Sequence, residues 1–347
     1  MNSFIKNTPL LYVITIGISF AISLIFTPLF RAIALRFQIL DHPYSDIKTH
    51  RLPTPYLGGA AIWLGWAASL FIIRFFTHFP SGTLRSLRGI LWGSAIILAL
   101  GLVDDILPKG LGFKKKFIIQ AIAAASLFAF DIRIHFISPY FMAIAFSIIW
   151  VVGITNAFNI IDIMDGLSSG IAVIASLAFL FIAMPSEQIY VNFSAAALAG
   201  GALGFLPYNL SKSKKIFMGD TGSLTIGFIL ASVAMGTSYT KANEIGLFSP
   251  LLILAVPLYD TALVMFMRWK KGQSPFLGSK DHFALRLEMM GLSRKRILVI
   301  TYIFSAAISL SAFFVTRLPL LWAAALFTGI IAIAIIISRH LGKVKIE

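Results

Sequence analysis

Apolar runs, each close to 20 residues and separated by short polar turns, recur along the whole chain. Eleven stretches carry the pattern: 10–30, 57–77, 87–103, 117–131, 141–158, 168–184, 189–206, 222–237, 248–267, 297–316 and 318–338. That is the length of helix needed to cross ~30 Å of hydrocarbon. The pattern predicts an all-α, polytopic helical membrane protein with about 10–11 transmembrane helices in a single domain over residues 1–347. The first stretch has no small-residue cleavage site after a short core, so it is expected to be retained as a span. The longest polar stretch, 268–296, leaves room for a short interfacial helix from Lys280 to Met290.

Composition agrees with this class. Hydrophobic residues make up 58% of the chain and charged ones 12%, about half the charge of a soluble protein. The net charge of +15 raises the question of nucleic acid, and its distribution answers it. Of 29 Lys and Arg, 22 fall in alternate loops: 31–56, 104–116, 207–221, 268–296 and the tail from 339. By the positive-inside rule those loops are cytoplasmic, which puts the N-terminus outside and the C-terminus inside. The expected setting is the cell membrane, with its lipids as partners and no nucleic acid. The chain has no cysteine, so disulfides and thiolate metal sites are excluded.

Three acidic motifs stand at predicted helix ends, all on the expected cytoplasmic face. Asp104 and Asp105 close the third stretch, Asp162 and Asp165 follow the fifth, and Asp220 opens the eighth. Only 14 acidic residues exist in the chain, and ionisable groups at a membrane boundary mark substrate or ion pathways. Asp162 and Asp165 share a helical face, with Asn156 and Asn159 at the same spacing upstream. The asparagines could equally be polar glue between helices, and Asp220 could be a helix cap. The run Gly219 to Ser223 places free backbone N–H groups at a helix start, a setting that suits phosphate. A hard cation such as Mg²⁺, or Mn²⁺ in its place, is the natural partner of such carboxylates and of substrate phosphates. Lys48, His50 and Arg51 form a basic, proline-stiffened loop before the second stretch. Lys116, the last of three lysines, opens the fourth and is the best placed of them for a phosphate contact. Asp260, deep in the ninth, calls for a partner.

In order along nearly the whole chain, the runs HRLPTPYLGG, GLVDD, the lysines ending in Lys116 with Gln120, NAFNIIDIMDGL, FLPYN, FMGDTGSL and PLYDT occur. Together they resemble the polyprenyl-phosphate N-acetylhexosamine-1-phosphate transferases. The resemblance implies a Mg²⁺-dependent cytoplasmic site that takes a UDP-sugar and a polyprenyl phosphate, and it leaves room for a homodimer. It implies that Asp104 and Asp105 are the paired catalytic aspartates and that Asp220 binds metal; Asp104 or Asp105 is expected to share that ion, and Asp162 and Asp165 to join the catalytic set. It places Asn209, Phe217 and the run Asp165, Gly166, Leu167 along the nucleotide pocket. Two departures stand out. Ile163 replaces the usual glycine, and a histidine-rich loop motif keeps only His282 and Arg286, with Ala284 and Leu285 where histidines are expected. His282 and Arg286 are then the expected contacts to the sugar phosphate. Met290 to Ser293 resembles the UDP-GlcNAc branch, and the triple histidine of the UDP-MurNAc-pentapeptide branch is missing.

Overall fold

The computed structural model describes residues 2–43, 52–107, 110–184, 189–237, 239, 242–274 and 279–344, with side chains from residue 9 onward. The described residues form α1 (Asn2–Arg36), α2 (Gly58–Phe76), α3 (Ser81–Ile106), α4 (Phe113–Ser126), α5 (Tyr140–Ile161), α6 (Leu167–Ala183) and α7 (Ile189–Asn209). There follow α8 (Gly219–Gly236), α9 (Ser249–Ile253), α10 (Ala255–Lys270), α11 (Phe283–Met289), α12 (Arg294–Val315) and α13 (Leu320–Leu341). Two short strands, β1 (Leu40–Asp41) and β2 (Thr54–Pro55), pair antiparallel, Leu40 opposite Pro55 and Asp41 opposite Thr54.

Each predicted apolar stretch coincides with a helix or a helix pair. Among the described residues seven helices are long and apolar enough to cross a membrane, and the pair Glu244–Ile253 and Ala255–Lys270, bent by 73°, is apolar enough to make a broken span or a re-entrant loop. The remaining stretches fall on α4, α6 and α8. At 14 residues α4 rises only ~21 Å, short of a full hydrocarbon crossing. The 17-residue α6 is longer but still brief, while α8 carries Gly, Ser and Thr and lies almost wholly inside the protein. A helix shielded by its neighbours does not need the lipid-facing hydropathy of a span on the rim. At the other extreme α13 turns Leu321, Trp322, Ile331 and Ile336 outward, the surface of a helix in hydrocarbon.

At the centre, α8 is packed by α2, α3 and α5. Small residues make that packing close. A Cβ on Gly59 of α2 would lie 2.1 Å from the Gly222 Cα, and one on Gly101 of α3 would lie 2.4 Å from the Thr221 Cα. The first turn of α8 therefore touches two other helices backbone to backbone. The chain just before it is held as firmly, since Phe217 N donates to Pro55 O (2.8 Å), Gly58 N to Phe217 O (3.0 Å) and Gly59 N to Met218 O (3.0 Å).

Candidate active site

The three acidic motifs meet at that first turn. Asp105 caps α8: its Oδ1 accepts from Asp220 N (2.9 Å), and its Oδ2 from Thr221 N (3.0 Å) and Thr221 Oγ1 (2.6 Å). This satisfies N–H groups that a helix start leaves orphaned and sets a negative charge at the positive end of the dipole. With its backbone so fixed, the Asp220 side chain projects toward Asp104. Lys116 Nζ sits between the two carboxylates, 2.7 Å from Asp104 Oδ2 and hydrogen-bonded to Asp220 Oδ2. Asn159 Nδ2 completes the arrangement with bonds to Asp220 Oδ1 (2.8 Å) and Ser223 Oγ (3.0 Å).

Among the described residues no three His, Asp or Glu side chains are gathered as a ready-made metal cage. Asp104 and Asp220 are the carboxylates that converge on one cationic centre. One or two carboxylates are what Mg²⁺ takes from a protein when substrate phosphates and water supply the rest. Asp105, expected beside them as a metal ligand, has both oxygens occupied by the α8 backbone and Thr221.

A cavity of about 240 Å³ opens beside this cluster. Asp41, Tyr56, Asn159, Asp162, Asp165, Asn209, Lys215, Phe217 and Asp220 line it, together with Ser279, Leu285 and Arg294. Asp162 follows the last residue of α5 and lines the cavity. Loss of water, followed by the charges of Asp220, Asp165 and Asp105, holds its carboxyl well above the ordinary range. Asp165 is instead paired with Lys215 Nζ at 2.7 Å, and that ammonium stands 4.9 Å over the Phe217 ring. The turn after Asp165 is clamped on both sides of Gly166: its N donates to Asn209 Oδ1 (2.6 Å), and its O accepts from Tyr302 of α12. Asn209 in turn donates to Ile216 O (3.0 Å), so one amide ties the start of α6, the end of α7 and the segment before α8.

Several expected contacts have other employment. Asn156 is interhelical glue, bonded to Gln120 of α4 and to Val152 O (2.7 Å) within α5. Leu167 is fully buried in the core at the start of α6, away from the cavity wall. The expectation that His282 and Arg286 grip a phosphate meets two buried side chains already committed to the protein. His282 Nδ1 is 2.7 Å from Asp260 Oδ2, and Phe283 N donates to Asp260 Oδ1 (2.9 Å), which supplies the partner that Asp260 requires. The Arg286 guanidinium bonds to Asp281 Oδ1 (2.6 Å) and to the carbonyls of Leu341 and Val344 (both 2.8 Å), holding the end of α13. Lys48, His50 and Arg51 lie outside the described residues.

The wall also contains residues that sequence reasoning passed over. Asp41 and Tyr56 arrive through the β1–β2 pair, whose two-residue strands leave no periodicity to read. In the sequence Lys215 reads as a topology charge, although its place two residues before Phe217 is a usable signal. Arg294 reads the same way. Of the two replaced histidine positions, Leu285 faces the cavity and Ala284 is buried.

Comparison with known proteins now adds to the geometry. The chain is 31% identical over 312 residues to the probable undecaprenyl-phosphate N-acetylglucosaminyl 1-phosphate transferase of Bacillus subtilis (strain 168), covering 86% of this chain and 84% of that protein. The family profile "Glycosyl transferase family 4" matches residues 87–238, the segment that holds all three acidic motifs. The chain belongs to that family. A decaprenyl-phosphate N-acetylglucosaminephosphotransferase of Mycolicibacterium smegmatis is 30% identical over 339 residues, covering 88% of this chain and 82% of that protein. A phospho-N-acetylmuramoyl-pentapeptide-transferase of Streptococcus mutans is 31% identical over 309 residues, covering 79% and 87%. This glycosyl transferase is a multi-pass membrane enzyme.

Proposed function

We propose that this glycosyl transferase moves N-acetylglucosamine-1-phosphate from UDP-N-acetylglucosamine to a polyprenyl phosphate. The lipid phosphate oxygen attacks the β-phosphorus, a new P–O bond forms, the bond to the bridging oxygen breaks, and UMP leaves. The observation that carries this reading is the junction of Asp104, Lys116, Asn159 and Asp220 beside a polar cavity. In phosphoryl transfer the protein chiefly positions groups and neutralises charge. The lining carboxylates Asp165 and Asp220 already engage the ammonium groups of Lys215 and Lys116, so a diphosphate that enters needs added positive charge. Mg²⁺, held by Asp104 and Asp220, would supply that charge and stabilise the departing UMP.

In this reading Asp105 fixes the first turn of α8 and so positions Asp220. Lys116 shields the two carboxylates from each other and presents the nearest ammonium to an incoming phosphate. Lys215, Phe217 and the clamped Asp165–Gly166 turn form the nucleotide end of the cavity. The lipid phosphate has a second pKa near 6, as phosphomonoesters do, so it reaches the site largely ionised and needs no strong base. The excess of Lys and Arg in the loops on the side of the three motifs supports a site on the cytoplasmic face of the cell membrane.

The donor assignment rests on Met290 to Ser293 and on the larger share of this chain matched by the N-acetylglucosamine enzymes, 86% and 88% against 79%. Purified protein given undecaprenyl phosphate, Mg²⁺ and a panel of UDP-sugars, UDP-MurNAc-pentapeptide included, should release UMP with UDP-N-acetylglucosamine. Release with the pentapeptide donor alone would reassign the substrate, and silence across the panel would overturn the reaction.

A further inference from the structure

The segment after α10 carries a chemical problem. Its histidine motif is depleted, and His282 and Arg286 are turned into the protein, yet the cavity needs a cation facing the metal-side carboxylates. Between 279 and 294 three side chains reach the wall: Ser279, Leu285 and Arg294. Only Arg294 is charged. We propose that Arg294 is the contact this segment offers to the diphosphate of the donor, an inference that rests on the transferase reading above.

Arg294 is the first residue of α12, placed there by the turn through Gly291 (φ +93°) that folds α11 back on the bundle. Its Nε lies 2.8 Å from Glu288 Oε1 and its second nitrogen 3.3 Å from Oε2, in a forked pair. Both side chains are well exposed, 40% and 35%, so water screens the pair and little holds it together. By contrast Lys215, the other cation of the wall, is less exposed at 28% and is fixed at 2.7 Å by Asp165. A guanidinium fork fits two phosphate oxygens as well as two carboxylate oxygens. Glu288 thus serves as a resting counter-ion that a doubly charged diphosphate can displace, and Leu285 beside it can make no hydrogen bond that competes.

The test uses steady-state UMP release by the full-length protein in detergent, with UDP and uridine as inhibitors. Arg294→Gln should raise KM for the UDP-sugar tenfold or more, leave kcat within about threefold and weaken inhibition by UDP while leaving that by uridine unchanged. Arg294→Lys should fall between, because it keeps the charge and loses the fork. Glu288→Gln should leave KM unchanged or lower it, since it removes the competitor. If the pair is only a brace between α11 and α12, Glu288→Gln and Arg294→Gln will raise KM alike, which overturns the proposal. An active Arg294→Gln enzyme with unchanged KM and UDP inhibition overturns it as well. Should Arg294→Gln fail to fold, Arg294→Lys and Glu288→Gln decide between the two by the same comparison. A wild-type protein inert with every donor removes the reaction and this inference together, whereas the other failures remove this inference alone.

Discussion

Replacing Asp105 by asparagine changes one oxygen into an NH₂ group and removes the charge. Three donors now point at this carboxylate: Asp220 N and Thr221 N at 2.9 and 3.0 Å, and Thr221 Oγ1 at 2.6 Å. An amide can accept on one side only. Whichever way it turns, a backbone N–H of α8 is left facing another donor, and at least one bond to a charged acceptor is lost. Such a bond contributes about 1.5–3 kcal/mol, and the negative charge at a helix start adds about 0.3–1 kcal/mol. Asp105→Asn should therefore destabilise the fold by about 2–4 kcal/mol. Thr221→Val, which removes only the hydroxyl bond, should cost less. Equilibrium unfolding in mixed micelles of mild detergent and SDS, followed by loss of helix signal and run in EDTA, measures both. Superposed curves for wild type and Asp105→Asn would refute the capping role. A deficit that emerges only when Mg²⁺ is added would also refute it, and would return Asp105 to the metal.

Asp104→Asn and Asp220→Asn should each raise the Mg²⁺ concentration needed for half-maximal activity by tenfold or more. Asp105→Asn should lower kcat without that shift, and an equal, Mg²⁺-independent loss in all three would overturn the division of roles. In the segment after α10, burial raises the Asp281 carboxyl, but Lys271, Ser279 and Arg286 outweigh it and hold the group below its ordinary range. A carboxyl lowered in the folded state contributes stability that is complete above its unfolded pKa of about 3.9 and is lost as pH falls through the folded value. Protonation loosens Arg286, which holds the Leu341 and Val344 carbonyls. Hydrogen exchange around residues 338–344 should thus rise below about pH 4 in the wild type, and in Asp281→Asn it should be raised already at neutral pH. An exchange profile of that segment indifferent to both changes would sink the claim.

What could be read from the chain alone follows the cost of placing each residue. Asp104, Asp162, Asp165 and Asp220 sit at the ends of apolar runs, where a bare carboxylate is expensive, so their positions carried functional meaning before any geometry was known. The loop charges needed only a count of Lys and Arg, and that count put the three motifs on one side, where the fold joins them. Within that frame the roles were not legible. Asp104 and Asp105 are neighbours of identical type, and only the glycine contacts that seat α8 against α2 and α3 decide that Asp105 caps the helix while Asp104 faces Lys116. The same holds in the segment after α10. His282, Arg286, Asp260 and Asp281 are all polar, and any of them could have faced the cavity. Packing of α10, α11 and α13 pairs them with one another and buries them, because a charge enters a low-dielectric interior only with its partner. Arg294 pairs with a glutamate that remains in water, so nothing compels it to stay there. A sequence reveals that a cation is available near the site. Which cation is free to meet a substrate depends on what the others have already bound.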